Sequence, residues 1–315
     1  MALVEAWELL KKFGSLTAVD NISFKVDRGE VVGFLGPNGA GKSTAMKIIS
    51  GFLEPTSGKA WIDGHNSHTD PIAARRKLGY LPEGAPAYVD MTVGGFLDFV
   101  AGMHGLSKTK ANDRMAELVD RVGLAEVWNQ RIDSLSKGFK RRVGIAQAMV
   151  HDPDVLILDE PTDGLDPNQK YEMRSLIRAI AAQKAIIIST HILEEVEAVC
   201  TRAIIIARGK MLADATPADL LARSMPAPAI ALTIAAADPQ RAIEIISSKP
   251  GVTEVAVAER INGATRLVVR TTQQPPSASA IATLLGQAEI AADEIFLRRP
   301  TLDDVFRKIT TGTEH

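Results

Sequence analysis

At 315 residues, with 46% hydrophobic and 23% charged side chains, the chain has the composition of an ordinary soluble protein and the length for one large domain and a smaller one. A formal charge of −2 excludes strong electrostatic steering toward nucleic acid, and a single cysteine, Cys200, excludes an intrachain disulfide, which suits a reducing cytoplasm. No apolar stretch approaches the roughly 20 residues needed to cross a bilayer, so any membrane segments are expected from another chain.

The first residues, MALVEAWELLKKFG, carry Glu5 and Glu8 and lack the basic start and small-residue cleavage site of an export signal, so they are expected to stay in the mature chain. Short β-branched runs follow at 22–26, 31–35, 60–63, 155–158, 185–189 and 203–207, several of them apolar without alternation, as strands covered on both faces are. Helical patterns at 43–50, 168–182 and 193–199 lie between them. The first part therefore reads as an α/β domain around a largely parallel sheet. From about 92 to 147 the alternation stops: 93–103, 110–122 and 140–149 carry helical periodicity with little strand signal, which predicts a helical insert.

Residues 223–229, RSMPAPA, hold two prolines and no periodic pattern, and they predict a linker dividing a domain of residues 1–222 from one of 230–315. The second domain reads strand 230–236, helix 239–248, strands 252–260 and 265–271, helix 277–288, strand 294–298 and a closing helix 302–309. That order, βαββαβ, predicts a small α+β domain of the ferredoxin-like arrangement. An RNA-binding module of the same order fails on two counts: the strands lack a run of stacking aromatics, and from Met225 onward nine Lys and Arg face ten Asp and Glu.

Chemistry enters at residues 36–44, GPNGAGKST, between the apolar run 31–35 and a helical stretch. Gly36, Gly39 and Gly41 can take backbone angles denied to other residues, so successive N–H groups can converge on phosphate oxygens at the start of the helix. The whole run, Gly36, Pro37, Asn38, Gly39, Ala40, Gly41, Lys42, Ser43 and Thr44, is the candidate nucleotide cradle and has the Walker A spacing. Lys42 is placed to reach the β- and γ-phosphates, and the Ser43 hydroxyl to ligate Mg²⁺. At 155–160, VLILDE, four apolar residues end in two carboxylates, the Walker B arrangement. Asp159 would hold Mg²⁺, and Glu160 would polarise an attacking water as general base.

LSKGF at 135–139, GLDP at 164–167 and His191 after an apolar strand complete an ordered set. With the two Walker motifs they resemble the ATP-binding cassette (ABC) ATPases over about residues 1–220, and residues 135–169 are most similar to exporter ATPases of gliding-motility and multidrug-efflux systems. The resemblance implies a P-loop NTPase fold with a helical subdomain, and further roles. Phe13 would stack on adenine, and residues 80–83, YLPE, would form the lever between nucleotide and membrane partner. Ser136 and the N–H of Gly138 would meet the γ-phosphate bound by a second subunit, and Asp166 would cross the dimer interface. His191 would contact the γ-phosphate in its own subunit and stabilise developing charge. The catalytic candidates are thus Glu160, His191 and Lys42, and the metal candidates Ser43, Asp159 and Glu83. Three positions depart from the commonest pattern: Lys137 replaces a glycine, Phe139 a glutamine, and Glu83 stands where glutamine is usual.

The expectation is an ATP- and Mg²⁺-dependent ATPase subunit of an ABC exporter, a homodimer at the inner face of the cell membrane on a separate integral membrane permease, without a nucleic-acid partner. A groove formed by the helical insert and residues 81–105 would receive a permease helix. Two rivals remain open. A soluble ABC ATPase that remodels nucleic acid or ribosomes typically carries two cassettes or long coiled-coil insertions, which this sequence does not show; an ATP-gated regulatory module is opposed by the intact Lys42, Asp159, Glu160 and His191. His65 and His68 read as turn residues, Lys140, Arg141 and Arg142 as a phosphate-facing or solvated helix start, Cys200 as packing beside Val196 and Val199, and Asp303 and Asp304 as a helix N-terminus.

Overall fold

The computed structural model describes residues 2–84, 87–223, 229–235, 239–261, 264–272, 276–298 and 301–311, and the chain divides into two compact units between residues 217 and 218. The first unit runs β1 (Ala2–Phe13), β2 (Leu16–Asp27), β3 (Val31–Leu35), α1 (Lys42–Ile49), β4 (Ser57–Ile62), β5 (His65–Asn66), α2 (Pro71–Arg76), β6 (Leu78–Leu81), α3 (Val93–Met103), α4 (Lys108–Val122), α5 (Lys137–Met149), β7 (Val155–Asp159), α6 (Pro167–Ala181), β8 (Ala185–Thr190), α7 (Leu193–Val199), β9 (Arg202–Ala207) and β10 (Lys210–Ala215).

Strands β3, β7 and β8 are buried along their whole length, so each reads as a continuous apolar run rather than an alternating one. They form the middle of a six-stranded sheet of order β10-β9-β3-β8-β7-β6, parallel except where β10 returns against β9. Parallel pairing puts the C-terminal ends of β3, β8, β7 and β6 on one edge. Leu35 pairs with Thr190, and Asp159 with Ser189. The loops that follow these strands therefore open side by side, the place where open α/β sheets hold ligands.

Two of the runs expected in this sheet lie elsewhere. Residues 22–26 and 60–63 fall on or beside β2 and β4, which flank β1 in a second, antiparallel sheet of order β2-β1-β4-β5. Strand β1, to which the sequence reading gave no element, is central in that sheet. Its Ala, Glu, Leu and Lys content carries little strand preference, and pairing on both sides decides the matter. A core of Val4, Leu9, Ile22, Phe24, Phe34 and Met46 fills the space between the two sheets and α1.

The helical insert is capped as its sequence allows. Thr92 and Ser107 accept from the N–H groups of Gly95 and Lys110 at the starts of α3 and α4, and Gly123 closes α4 in left-handed backbone. Ala111, Met115, Leu118 and Val122 recur at helical spacing along α4 and are buried in the larger apolar core, with Leu97 and Val143. After β4 the chain turns through Asp63 and Gly64, both at positive φ, into β5. His65 pairs with Asp70 there, and the His68 ring meets the Ile48 carbonyl.

The second unit takes up α8 (Pro217–Arg223) from Ala218 on, then β11 (Ala229–Ile234), α9 (Pro239–Ser247), β12 (Val252–Ile261), β13 (Ala264–Thr271), α10 (Ala278–Gln287), β14 (Ala292–Arg298) and α11 (Leu302–Thr311). Residues 218–222, expected in the first domain, belong to the second unit, and residues 224–228 of the expected linker lie outside the described residues. Strands β11 to β14 form an antiparallel sheet of order β12-β13-β11-β14 over a core of Ile230, Leu232, Ile246, Leu267, Val269, Ile281 and Leu285. Thr301 and Asp304 exchange hydrogen bonds at the start of α11, a reciprocal cap.

Candidate functional site

The cradle grows from the last residue of β3. A Cβ on Gly36 would sit 2.3 Å from the Ile206 carbonyl oxygen, and one on Gly41, whose φ is +104°, would sit 2.2 Å from that of Ala18. Only glycine permits these approaches, so the loop is fixed by neighbouring backbone before any ligand is considered. Lys42, at 6% exposure, opens α1 and donates from Nζ to the carbonyls of Gly36 at 2.6 Å and Pro37 at 3.2 Å. Burial lowers its pKa, and the nearby charges of Glu160, Asp159 and Glu83 pull it back up.

Asp159, buried at the end of β7, accepts from Ser189 Oγ on β8 and lies 3.5 Å from Ser43 Oγ. The next residue, Glu160, takes left-handed backbone at φ 48°, a conformation costly for a glutamate. Its N–H donates to the Ser189 carbonyl at 3.1 Å, and its Oε1 lies 3.1 Å from His191 Nδ1. Neighbouring parallel strands thus deliver Asp159, Glu160 and His191 to one place.

Asn38, Gly39, Ala40, Lys42, Ser43, Thr44, Glu83, Glu160, Asp163 and His191 line a cleft of about 430 Å³. Asp163 was not anticipated; it stands in the turn Asp163–Gly164 that follows the Walker B strand, and this turn is its only sequence signal. Glu83 and Asp163 also face a neighbouring cavity of about 440 Å³ whose other walls include Lys137, Lys140 and Arg141.

Eight predicted residues are not in the lining of this cleft: Gly36, Pro37, Gly41 and Asp159, which belong to the cradle and strand end described above, and Phe13, Ser136, Gly138 and Asp166. Phe13 ends β1, half exposed, with Lys11 Nζ 5.2 Å from its ring centre. Ser136 caps α5 and accepts from the Phe139 N–H, while Asp166 caps α6 and accepts from the Gln169 N–H at 2.9 Å. Gly138 lies under the Gln169 side chain, where a Cβ would meet its amide at 2.7 Å. These two helix starts therefore pack on each other within the chain. Cys200 lies against Gly33, with its thiol pushed up to about 12 by burial, and so is poorly reactive.

The donor set suits Mg²⁺: Ser43 and Asp159 offer hard oxygen ligands beside the cradle, and among the described residues no three His, Cys, Asp or Glu side chains converge as a metal cluster. Glu83 faces the same cleft.

A second surface feature lies on the helical insert. Ala87, Tyr88, Phe96, Phe99, Val100, Met103, His104 and Gln147 line an apolar groove of about 400 Å³. Tyr88, Phe99 and Met103 are exposed, and Tyr88 packs edge-on against Phe99. Among the described residues no helix is long and apolar enough to cross a membrane.

The sequence profile of a family described as ABC transporter matches residues 19–163. The chain is 40% identical over 223 residues to the probable multidrug ABC transporter ATP-binding protein YbhF of Escherichia coli, covering 70% of this chain and 38% of YbhF. It thus spans about two fifths of that relative's length. It is 32% identical over 303 residues to the daunorubicin resistance ATP-binding protein DrrA3 of Streptomyces coeruleorubidus, covering 95% of this chain and 93% of that one. A solved structure of the ATP-binding subunit of an ABC transporter superposes with a TM-score of 0.65 at 32% identity, covering 70% of this chain and 92% of the other.

Proposed function

This chain belongs to the ABC transporter ATP-binding proteins, and from that premise we propose that it is the ATP-hydrolysing subunit of an exporter, acting as a homodimer on a separate membrane permease. The observation that carries the reading is the convergence of Lys42, Ser43, Glu160 and His191 on one cleft, with Asp159 buried 3.5 Å behind Ser43 Oγ, while Ser136, Gly138 and Asp166 stand outside its lining at the starts of two other helices. A triphosphate in the cradle would be gripped on one side only. The N-terminus of α5, with its positive dipole end and the Ser136 hydroxyl, is the complementary piece, to be offered by a second copy.

In that closed pair the residues of the cleft divide the work. Backbone N–H groups of the cradle and the Lys42 ammonium hold the β- and γ-phosphates. Mg²⁺, held by Ser43 and Asp159, would supply charge neutralisation at the phosphate oxygens. Glu160 orients the attacking water and takes its proton, and His191 stabilises the charge that develops on the γ-phosphate. Phe13, exposed at the end of β1, offers its ring to adenine. Closure on ATP and opening after hydrolysis give two states of different nucleotide affinity, the condition for driving a conformational cycle.

The apolar groove with exposed Tyr88, Phe99 and Met103 is the surface proposed for a permease helix, and that contact would hold the protein at the inner face of the membrane. Isolation of the native chain from membranes should bring down a polytopic protein, and Glu160→Gln should abolish phosphate release while leaving that complex intact. A chain found only with ribosomes or nucleic acid, or one that binds ATP and never releases phosphate, would replace this reading with one of its rivals.

A further inference from the structure

Glu195, on α7, has no part in the chemistry above, yet it is buried to 4% exposure in a wall that includes Ile177, Ile188 and Val199. Both of its carboxyl oxygens are engaged. Thr162 Oγ1 donates to Oε1, and Thr190 Oγ1 donates to Oε2 at 2.7 Å. Thr190 Oγ1 also accepts from the Ile192 N–H at 3.0 Å. Thr162 lies two residues after Glu160 and Thr190 one before His191, so a single carboxyl ties together the chain leaving β7 and the chain leaving β8.

An apolar side chain of the same size would fill this space without the desolvation that a carboxyl suffers. Burial pushes the Glu195 pKa up, while the Thr190 hydroxyl and the charges of Arg174, Lys170 and His191 draw it down. What the carboxyl adds beyond volume is two directional bonds. They bracket Glu160, whose left-handed backbone persists only where its surroundings over-determine it, and which meets His191 at 3.1 Å.

We propose that Glu195 is a positioning residue: by clamping Thr162 to Thr190 it sets the separation of Glu160 and His191 at the γ-phosphate, and it touches neither nucleotide nor water itself. The inference rests on the roles given to Glu160 and His191 under the proposed function.

The test is ATP turnover by the full chain at saturating Mg²⁺ and ATP. Glu195→Met keeps the volume and loses both acceptors, and Thr190→Val keeps the shape and loses the donor. Each is expected to lower kcat about tenfold with KM changed less than about twofold. Glu195→Gln, which can accept from one threonine and donate to the other, should recover most of that loss. In a His191→Ala background the further change Glu195→Met should cost less than about twofold, because the positioning it supplies has no remaining object. A kcat for Glu195→Met within about twofold of the parent, or a tenfold loss that persists on top of His191→Ala, overturns the proposal. If Glu195→Met does not fold, Thr190→Val decides by the same criteria. Should Glu160→Gln and His191→Ala turn over ATP at the parental rate, the roles of those two residues fall first, and the clamp falls with them.

Discussion

Asp159 and Ser189 are register partners on adjacent parallel strands, and the Ser189 hydroxyl donates to Asp159 Oδ1 while its carbonyl receives the Glu160 N–H. One serine thus fixes both the candidate metal carboxylate and the backbone of the candidate base. Sheet register is the reason. Because Ser189 is the last residue but one of β8, its outward reach is spent on the strand next to it.

Ser189→Ala should therefore loosen Asp159 and weaken metal-dependent nucleotide binding more than metal-free binding. We expect Mg-ATP affinity to fall about three- to tenfold, the scale set by loss of a partner that orients a metal ligand, with ATP affinity in EDTA changed less than about twofold. Calorimetric titration with and without Mg²⁺ checks this. Equal losses in both conditions would mean that the serine serves the fold and not the metal.

Glu83 and Glu160 face the same cleft but have different expected weights. Glu160 meets His191 and continues the strand that holds Asp159, whereas Glu83 follows β6 at the cleft edge. Glu83→Gln should keep steady-state hydrolysis within about threefold, while Glu160→Gln should lose about 100-fold or more, the scale of a removed general base. A phosphate-release assay separates them, and a loss at Glu83→Gln as deep as at Glu160→Gln would assign the base differently.

Much of this site was legible because its motifs are contiguous in sequence: the cradle needs its glycines in one loop, and Walker B needs its carboxylates at one strand end. Asp163 escaped because a single aspartate in a turn has no pattern, and it enters the cleft only through the fold of the 160–164 segment. Glu195 escaped for the same reason: on α7 it reads as a helix-surface glutamate, and only the packing of α7 beside β8 buries it. In the fold, continuous apolar runs located β3, β7, β8 and β9 but neither β6 nor the sheet to which each predicted strand belongs. Residues 22–26 alternate, with Ile22, Phe24 and Val26 buried between exposed Ser23 and Lys25, whereas 155–158 is continuously apolar; that alternation marks a strand with one open face, and the run 60–63 is too short to show it.

The apolar groove offers a separate prediction. Phe99→Asp or Met103→Asp places charge on exposed apolar surface and leaves the cradle untouched. Each should keep Mg-ATP affinity within about twofold while reducing recovery of the chain with membranes; Met103→Asp, at the more exposed position, should keep stability within about 0.5 kcal/mol, whereas Phe99→Asp also loses the ring packing on Tyr88. Unchanged membrane recovery with both residues altered would move the permease contact elsewhere.

Acidification should destabilise the first unit through two stacked histidines. The rings of His104 and His151 lie 3.8 Å apart and nearly parallel, and His151 Nε2 meets the Leu78 carbonyl at 3.1 Å. Burial, aided by the charge of His104, pushes the His151 pKa down to about 4, and burial lowers that of His104 as well. A histidine whose folded pKa is depressed binds protons more readily in the unfolded chain, so its contribution is fully present above about pH 6.5 and is lost as pH falls toward 4. From the His151 shift alone the loss between pH 7 and pH 5 is about 2 kcal/mol. Urea unfolding followed over that range should show it, and His151→Gln should flatten the slope even though it lowers stability at pH 7. The window excludes the nearby carboxylates: Asp152 and Asp154 are held below the usual carboxylate range by Lys184, Arg28 and Lys77, against the cost of burial, and they lose their stabilisation only at more acid pH. An unchanged slope in His151→Gln would place the acid sensitivity in other groups.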